Sequence, residues 1–226
     1  MPINQNKYFE IVKEVNEFNS TLVAVSKTKP VEAIKELYEA GHRDFGENYV
    51  QELVEKQEQL PGDIRWHFIG HLQSNKVKYI APFIHLVHGI DSFKLLKEVD
   101  KQAKKNNRII NVLLQVHIAQ EETKFGLDEN ELHELVHTNS GELHELKNIS
   151  IRGLMGMASF TDDREKTRRE FRHLKTMFDK YAKPGMQNLK FEILSMGMSS
   201  DYSIAIEEGS NMVRIGSLIF GERQDS

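Results

Sequence analysis

The sequence predicts a single-domain (β/α)8 barrel, or TIM barrel, of the α/β class, with an extra helix at its N-terminus. Three observations carry this. Eight short apolar runs alternate with stretches of helical period, and no two strand-like runs are adjacent. The early strand starts, at residues 22, 43, 65 and 85, fall about 22 residues apart, close to one minimal βα unit. The fifth run, Ile109 to Ile118, is nearly continuously apolar, as a parallel strand covered on both faces should be. A doubly wound open sheet is the alternative topology.

The elements follow in order. Tyr8, Ile11, Val12, Val15 and Phe18 give residues 4–18 the faces of an amphipathic helix, and Leu22 to Ser26 is the first strand. Pro30 suits a first helical turn; Val31, Ile34, Leu37 and Tyr38 make a stripe that stops at Gly41. Arg43 to Gly46 is a short strand, followed by a helix through Tyr49, Val50, Leu53 and Val54 that ends near Pro61-Gly62. Strands are then expected at Arg65–Ile69, His85–Val87, Ile109–Ile118, Ile149–Leu154, Phe191–Leu194 and Met212–Ile215. The intervening helices are Ser74–Ile80, one marked by Phe93, Leu96 and Val99, then Glu129–His137, Arg164–Tyr181 and about Ser200–Glu207. No linker or low-complexity stretch divides the chain. Residues 1–226 read as one domain: N-terminal helix 1–20, barrel 21–217 and C-terminal tail 218–226.

Composition narrows the function. Hydrophobic residues make up 39% and charged residues 28%, as in a soluble globular protein, and the net charge of −4 gives no general attraction for nucleic acid or anionic membrane. The absence of cysteine excludes disulfides, thiolate metal sites and a cysteine nucleophile. The polar N-terminus lacks a signal-peptide core, and no run has the length of a membrane span, so a cytoplasmic location is expected.

In such a barrel the reactive rim is formed by the loops after the strands. Lys27 stands at the first of them and shares strand parity with Val23 and Val25. If that face is buried, an amine enters an apolar pocket, where burial lowers its pKa and makes it a nucleophile toward carbonyls. Taken alone, the stretch favours a solvated lysine just past a strand. Two Gly/Ser turns, Leu194 to Asp201 and Arg214 to Ser217, follow strands seven and eight, where barrels often hold phosphate. Ser199 or Ser200 also suits a helix N-cap. Arg214 shares parity with Met212, which fits either a salt bridge within the barrel or a guanidinium donating to a ligand. Asn48 fits an N-cap or a residue of the catalytic rim. The polar loop at about 119–127 has the length of a lid.

Two further motifs are set aside. His133-Glu134-Leu135-Val136-His137 matches the zinc-binding H-E-x-x-H pattern, but Leu132, Leu135 and Val136 supply the buried side and turn both histidines to solvent. No metal site is expected. The basic run Arg164 to Lys175 is interrupted at helical spacing by Glu170, Phe171 and Leu174, as a solvated helix face is.

The segments Ala24–Pro30, Ala40–Tyr49, Trp66–Lys76, Leu194–Asp201 and Val213–Arg223 together resemble the pyridoxal-phosphate homeostasis (PLP-binding) protein family, and they span the chain. The resemblance implies a fold-type III barrel like the N-terminal domain of alanine racemase. It also implies pyridoxal 5′-phosphate covalently bound at Lys27 as an internal aldimine. Ser199, Ser200, Gly216 and Ser217 would hold the phosphate, Arg214 would face the pyridine nitrogen, and Asn48 would lie beside the ring. His117 stands where asparagine is more usual in the family and Ser217 where threonine is common.

The implied function is cofactor buffering or delivery without efficient catalysis. Amino acids or PLP-accepting apo-enzymes are the expected partners, and the protein is expected to be a monomer. An arginine at the ring nitrogen makes the cofactor a weaker electron sink. Only about ten residues follow strand eight, so the second domain that gives alanine racemase its tyrosine base is not expected. The rivals are a PLP-dependent racemase or lyase drawing a base from Tyr49, His67 or His117, and a barrel enzyme whose Lys27 meets a phosphorylated substrate directly.

Overall fold

A computed structural model describes residues 3–119, 125–138, 140–182 and 188–222. Within them eight parallel strands close a barrel in chain order. They are β1 (Thr21–Val25), β2 (Asp44–Glu47), β3 (Arg65–Phe68), β4 (Leu86–Ile90), β5 (Ile110–Val116), β6 (Ile149–Gly156), β7 (Leu189–Ser195) and β8 (Met212–Ile215). The seam is β1 on β8, with Thr21 opposite Met212 and Ala24 opposite Ile215.

Helix α1 (Gln5–Glu17) precedes the barrel; α2 (Val31–Glu39), α3 (Val50–Gln59), α4 (Val77–Ile80) and α5 (Phe93–Lys105) follow the first four strands. Then come α6 (Glu129–His133), α7 (Ser140–Glu145), α8 (Arg164–Tyr181), α9 (Tyr202–Glu207) and α10 (Ser217–Phe220). The expected barrel with its extra helix is what forms.

Strand alternation sorts the core into two layers. Outward residues such as Ala24, Phe45, Val112, Leu194 and Val213 join the helices' apolar faces in one large core. Fully buried side chains there, such as Ile34 and Leu37 of α2, each contribute about 1.5–3 kcal/mol. The inward layer is thin: Val23, Leu86, Leu113, Met155 and Met212. Met157 and Ile193 pack against it, and beside them the polar His67, His88, Ser195 and Arg214 are buried.

The structure departs from the sequence expectation at two helices. Residues 129–137 do not form one α-helix: α6 opens on a capping box at Asp128 and gives way to a wider π turn, Glu134–Thr138, before α7. Both turn and helix keep Leu132, Leu135, Val136 and Leu143 buried. The expected tail from residue 218 begins inside a helix, because Ile219 and Phe220 of α10 are buried and the Ile219 carbonyl accepts from Asn4 N at 2.8 Å. Residues 223–226 lie outside the described residues.

His133 and His137 are exposed, their ring centroids 4.6 Å apart, and among the described residues no group of three His, Asp or Glu is placed to hold a metal. The basic run lies on α8, where Arg168 and Arg172 pair with Glu207 and Glu208 while Phe171 and Leu174 are buried. No helix among the described residues is long and apolar enough to cross a membrane.

Candidate functional site

The C-terminal rim gathers the candidate residues. β1 ends at Val25, and its inward parity (Val23 inside the barrel) carries Lys27, half-buried, toward the same side. Register places its neighbours. Val25 pairs with Gly46, which brings Glu47-Asn48 alongside; Ala24 pairs with Ile215, which brings Gly216-Ser217 to the other flank.

The Lys27 turn is held from outside the barrel. Ser26 is buried and its Oγ donates to Glu47 Oε1 at 2.6 Å, while Lys29 N donates to Ser26 O at 3.0 Å. Lys56 of α3 donates to Ser26 O and Glu47 Oε1, both at 2.7 Å, and to Glu52 Oε1 at 2.6 Å. Glu52 also accepts from Thr28 N at 2.6 Å. Thr28 adopts φ 62°, a left-handed conformation that a β-branched residue takes only under constraint. Burial raises the Glu47 carboxyl to about 7, against the opposing pull of Lys56.

Asn48 does not cap α3; the cap position is Tyr49, and no side chain bonds there. The Asn48 Oδ1 is buried and has no hydrogen-bond partner among the described residues. Gly70 packs on Asn48 so closely that a Cβ would lie 2.3 Å from its carbonyl oxygen.

The two Gly/Ser turns form one unit, since Gly216 N donates to Ser199 Oγ at 3.3 Å. The N-cap expectation for the serines is corrected. The cap position of α9 is Asp201, whose carboxylate is committed to Met198 N at 2.6 Å; this leaves Ser199 free to bond Gly216 and Ser200 exposed. Gly197 makes the turn possible at φ 95°. Ser217 is exposed at the start of α10. A groove of about 660 Å³ beside this turn is lined by Met157, Phe160, Met198 and Ser200.

Arg214 points inward, as its parity requires. Its Nη1 donates to Ser195 Oγ at 2.7 Å and its Nη2 to Gly156 O at 3.1 Å, neutral partners in place of the salt bridge considered from sequence. Burial lowers its pKa to about 10, so it stays a cation at neutral pH.

The three candidate bases are scattered. Tyr49 is exposed, and His117 is half-buried beyond β5 with its N–H on Leu127 O. His67 is fully buried, with both ring nitrogens bonded to His88 and Asp44. Of the loop at 119–127, residues 120–124 lie outside the described residues. Its far end turns back, with Phe125 O accepting from Gln115 Nε2 and the Phe125 ring stacked 4.0 Å from His71.

Two clusters escaped the sequence reading: Ser26, Glu47 and Lys56 behind the turn, and His88 and Ser195 inside the barrel. Inward parity on β4 and β7 was the available signal for the second pair. The first needs an i, i+9 contact from helix to strand that no periodicity announces.

A family model described as alanine racemase, N-terminal domain, matches residues 5–224. The pyridoxal phosphate homeostasis protein of Aquifex aeolicus is 43% identical over 204 residues, covering 90% of this chain and 87% of that protein. PipY of Synechococcus elongatus PCC7942, solved without PLP, superposes with a TM-score of 0.88 at 33% identity, covering 96% of this chain and 99% of its own. The PLP-bound PipY structure gives 0.80 at 35% identity, covering 90% and 93%. On this identity and coverage, the chain belongs to the pyridoxal phosphate homeostasis protein family.

Proposed function

We propose that the chain binds pyridoxal 5′-phosphate at its C-terminal rim, covalently through Lys27, and acts in PLP homeostasis by buffering or delivering the cofactor. The observation that carries this is the position of Lys27 between two flanks. On one side lies the joined Ser199/Gly216 turn, on the other the Asn48 Oδ1, which has no partner among the described residues. The naming of family relatives for PLP homeostasis supports the same reading.

The residues fit the group. The Ser199, Ser200, Gly216 and Ser217 turns offer hydroxyls and backbone N–H groups to a phosphate dianion. Arg214 has N–H donors beyond the two spent on Ser195 and Gly156, and these would serve the ring nitrogen. A permanent cation there keeps a proton off that nitrogen. Asn48 would hold the ring from the side. Lys27 would hold the cofactor through its amine. When bound, the cofactor supplies an exchangeable aldehyde and an electron-accepting ring. Amino acids or apo-enzymes are the acceptor amines we infer, with the protein acting as a monomer.

Borohydride reduction of the PLP-loaded chain, followed by mass mapping, tests the linkage. The reduced pyridoxyl group is expected on Lys27. The visible absorbance band should vanish in Lys27→Ala. A modified lysine elsewhere, or a wild-type chain that never takes up the cofactor, would overturn the reading.

A further inference from the structure

Polar side chains inside a barrel are costly unless each finds a partner, and here they partner one another in single file. Arg214 Nη1 donates to Ser195 Oγ at 2.7 Å, and Ser195 Oγ lies 3.1 Å from His88 Nδ1. His88 Nε2 lies 2.9 Å from His67 Nδ1, and His67 Nε2 lies 3.1 Å from Asp44 Oδ1. Arg65 closes the far end, bonding both Asp44 oxygens at 2.7 and 2.5 Å. The links come from β8, β7, β4, β3 and β2. Because Asp44 and Arg65 are the first residues of their strands, the file runs from the C-terminal rim to the N-terminal mouth. There Asp44, Arg65 and His67 line a cavity of about 340 Å³ together with His85, Asn111 and Arg152.

Donor and acceptor chemistry gives the file a direction. A guanidinium only donates, so Ser195 accepts there; where His88 Nδ1 is the acceptor, Ser195 sends its own proton to that nitrogen. A neutral imidazole has one donor and one acceptor, so His88 carries its proton on Nε2. His67 then accepts on Nδ1 and donates from Nε2 to Asp44, which as a carboxylate only accepts. The polarity is set from the Asp44 end, because a carboxylate only accepts, whereas a serine oxygen can accept from Arg214 and His88 alike. Burial holds His88 neutral, and although burial opposes it, the bonds from Arg65 and His67 keep Asp44 ionised.

We propose that Ser195, His88, His67 and Asp44 are positioning residues for Arg214, a one-way hydrogen-bond file that fixes the guanidinium from the opposite mouth of the barrel. The consequence for the cofactor rests on the reading of Arg214 as the ring contact; the file itself does not. Asp44 acts at the rim only through the intervening residues, which makes it the decisive position.

The test uses the whole chain, first without cofactor. Long-range proton–nitrogen spectra of the side chains are expected to show His67 and His88 both protonated on Nε2. Asp44→Asn presents an amide that can donate or accept, so the opposite tautomer should appear at both histidines and the Arg214 guanidinium signals should shift. Ser195→Ala should shift those signals too, and Ser195→Thr, which keeps the hydroxyl, should restore them. With pyridoxal 5′-phosphate added, Asp44→Asn should bind about 3- to 10-fold more weakly. A His88 proton on Nδ1 in the wild type, unmoved Arg214 signals in Asp44→Asn, or unchanged cofactor affinity in that variant would each overturn the proposal. If the wild-type chain binds no pyridoxal 5′-phosphate, the site reading fails, while the tautomers and the Arg214 signals still decide the file.

Discussion

Lys56 Nζ bonds the carbonyl oxygen of Ser26, the residue before Lys27, at 2.7 Å and lies equally close to Glu47 Oε1. The contact ties α3 to the Lys27 turn through a buried ion pair. Lys56→Met strands Glu47 in the core, and a loss of about 3 kcal/mol is expected, read from the urea midpoint. Pairing it with Glu47→Gln should recover most of that loss. A single variant as stable as wild type would show the pair to be dispensable.

Two buried carboxyls, Glu47 and Asp44, bend stability in opposite senses with pH. Glu47 has a folded pKa of about 7, above its unfolded value of about 4.3. Its contribution is full below the unfolded value and is lost as pH rises through about 7. Asp44 is depressed, so its contribution is present above the unfolded value of about 3.9 and is lost as pH falls below it. Denaturant melts across pH should therefore show Asp44→Asn flattening the acid limb and Glu47→Gln flattening the decline toward pH 7.

Ser199 joins the two turns, and its loss should be felt by an anion more than by the fold. Ser199→Ala removes one acceptor, a cost of about 1 kcal/mol in stability. Calorimetric titration is expected to show weaker binding of pyridoxal 5′-phosphate, by about tenfold. Unchanged affinity would place the phosphate elsewhere.

Thr28 is held left-handed at φ 62°, and Thr28→Gly removes that strain. A gain of up to about 1 kcal/mol is expected in thermal unfolding, together with slower cofactor uptake as the Lys27 turn loosens. A destabilised Thr28→Gly would mean that the threonine side chain contributes more than its backbone costs.

The barrel was legible because alternation of strand and helix is a local signal repeated along the whole chain. Lys27, Arg214 and the Gly/Ser turns were legible for a related reason: each sits at a strand's end, where parity and loop position follow from one element. What stayed hidden depends on pairs distant in sequence. Asn48 and the two serines carry cap-like chemistry, and sequence alone could not choose between a helix terminus and a ligand. Asp201 proved to be the residue that bonds backward to Met198. The π turn after α6 was hidden too, since Leu135 and Val136 suit either helical register. Ser195 to Asp44 becomes visible as a file only once the barrel closes and brings β7 across from β4.

The Asn4–Ile219 hydrogen bond places the first and last helices side by side at the barrel seam, and Lys29 Nζ caps the Gly221 and Glu222 carbonyls nearby at 3.0 Å. The ring of units thus has no privileged starting point in space. A circular permutant joined across this seam by a short flexible linker and opened at the exposed Gly62 should retain the barrel and its rim. Such a chain would synthesise the Lys27 unit late, after the turns it faces, and so separate the order of synthesis from the geometry of the site.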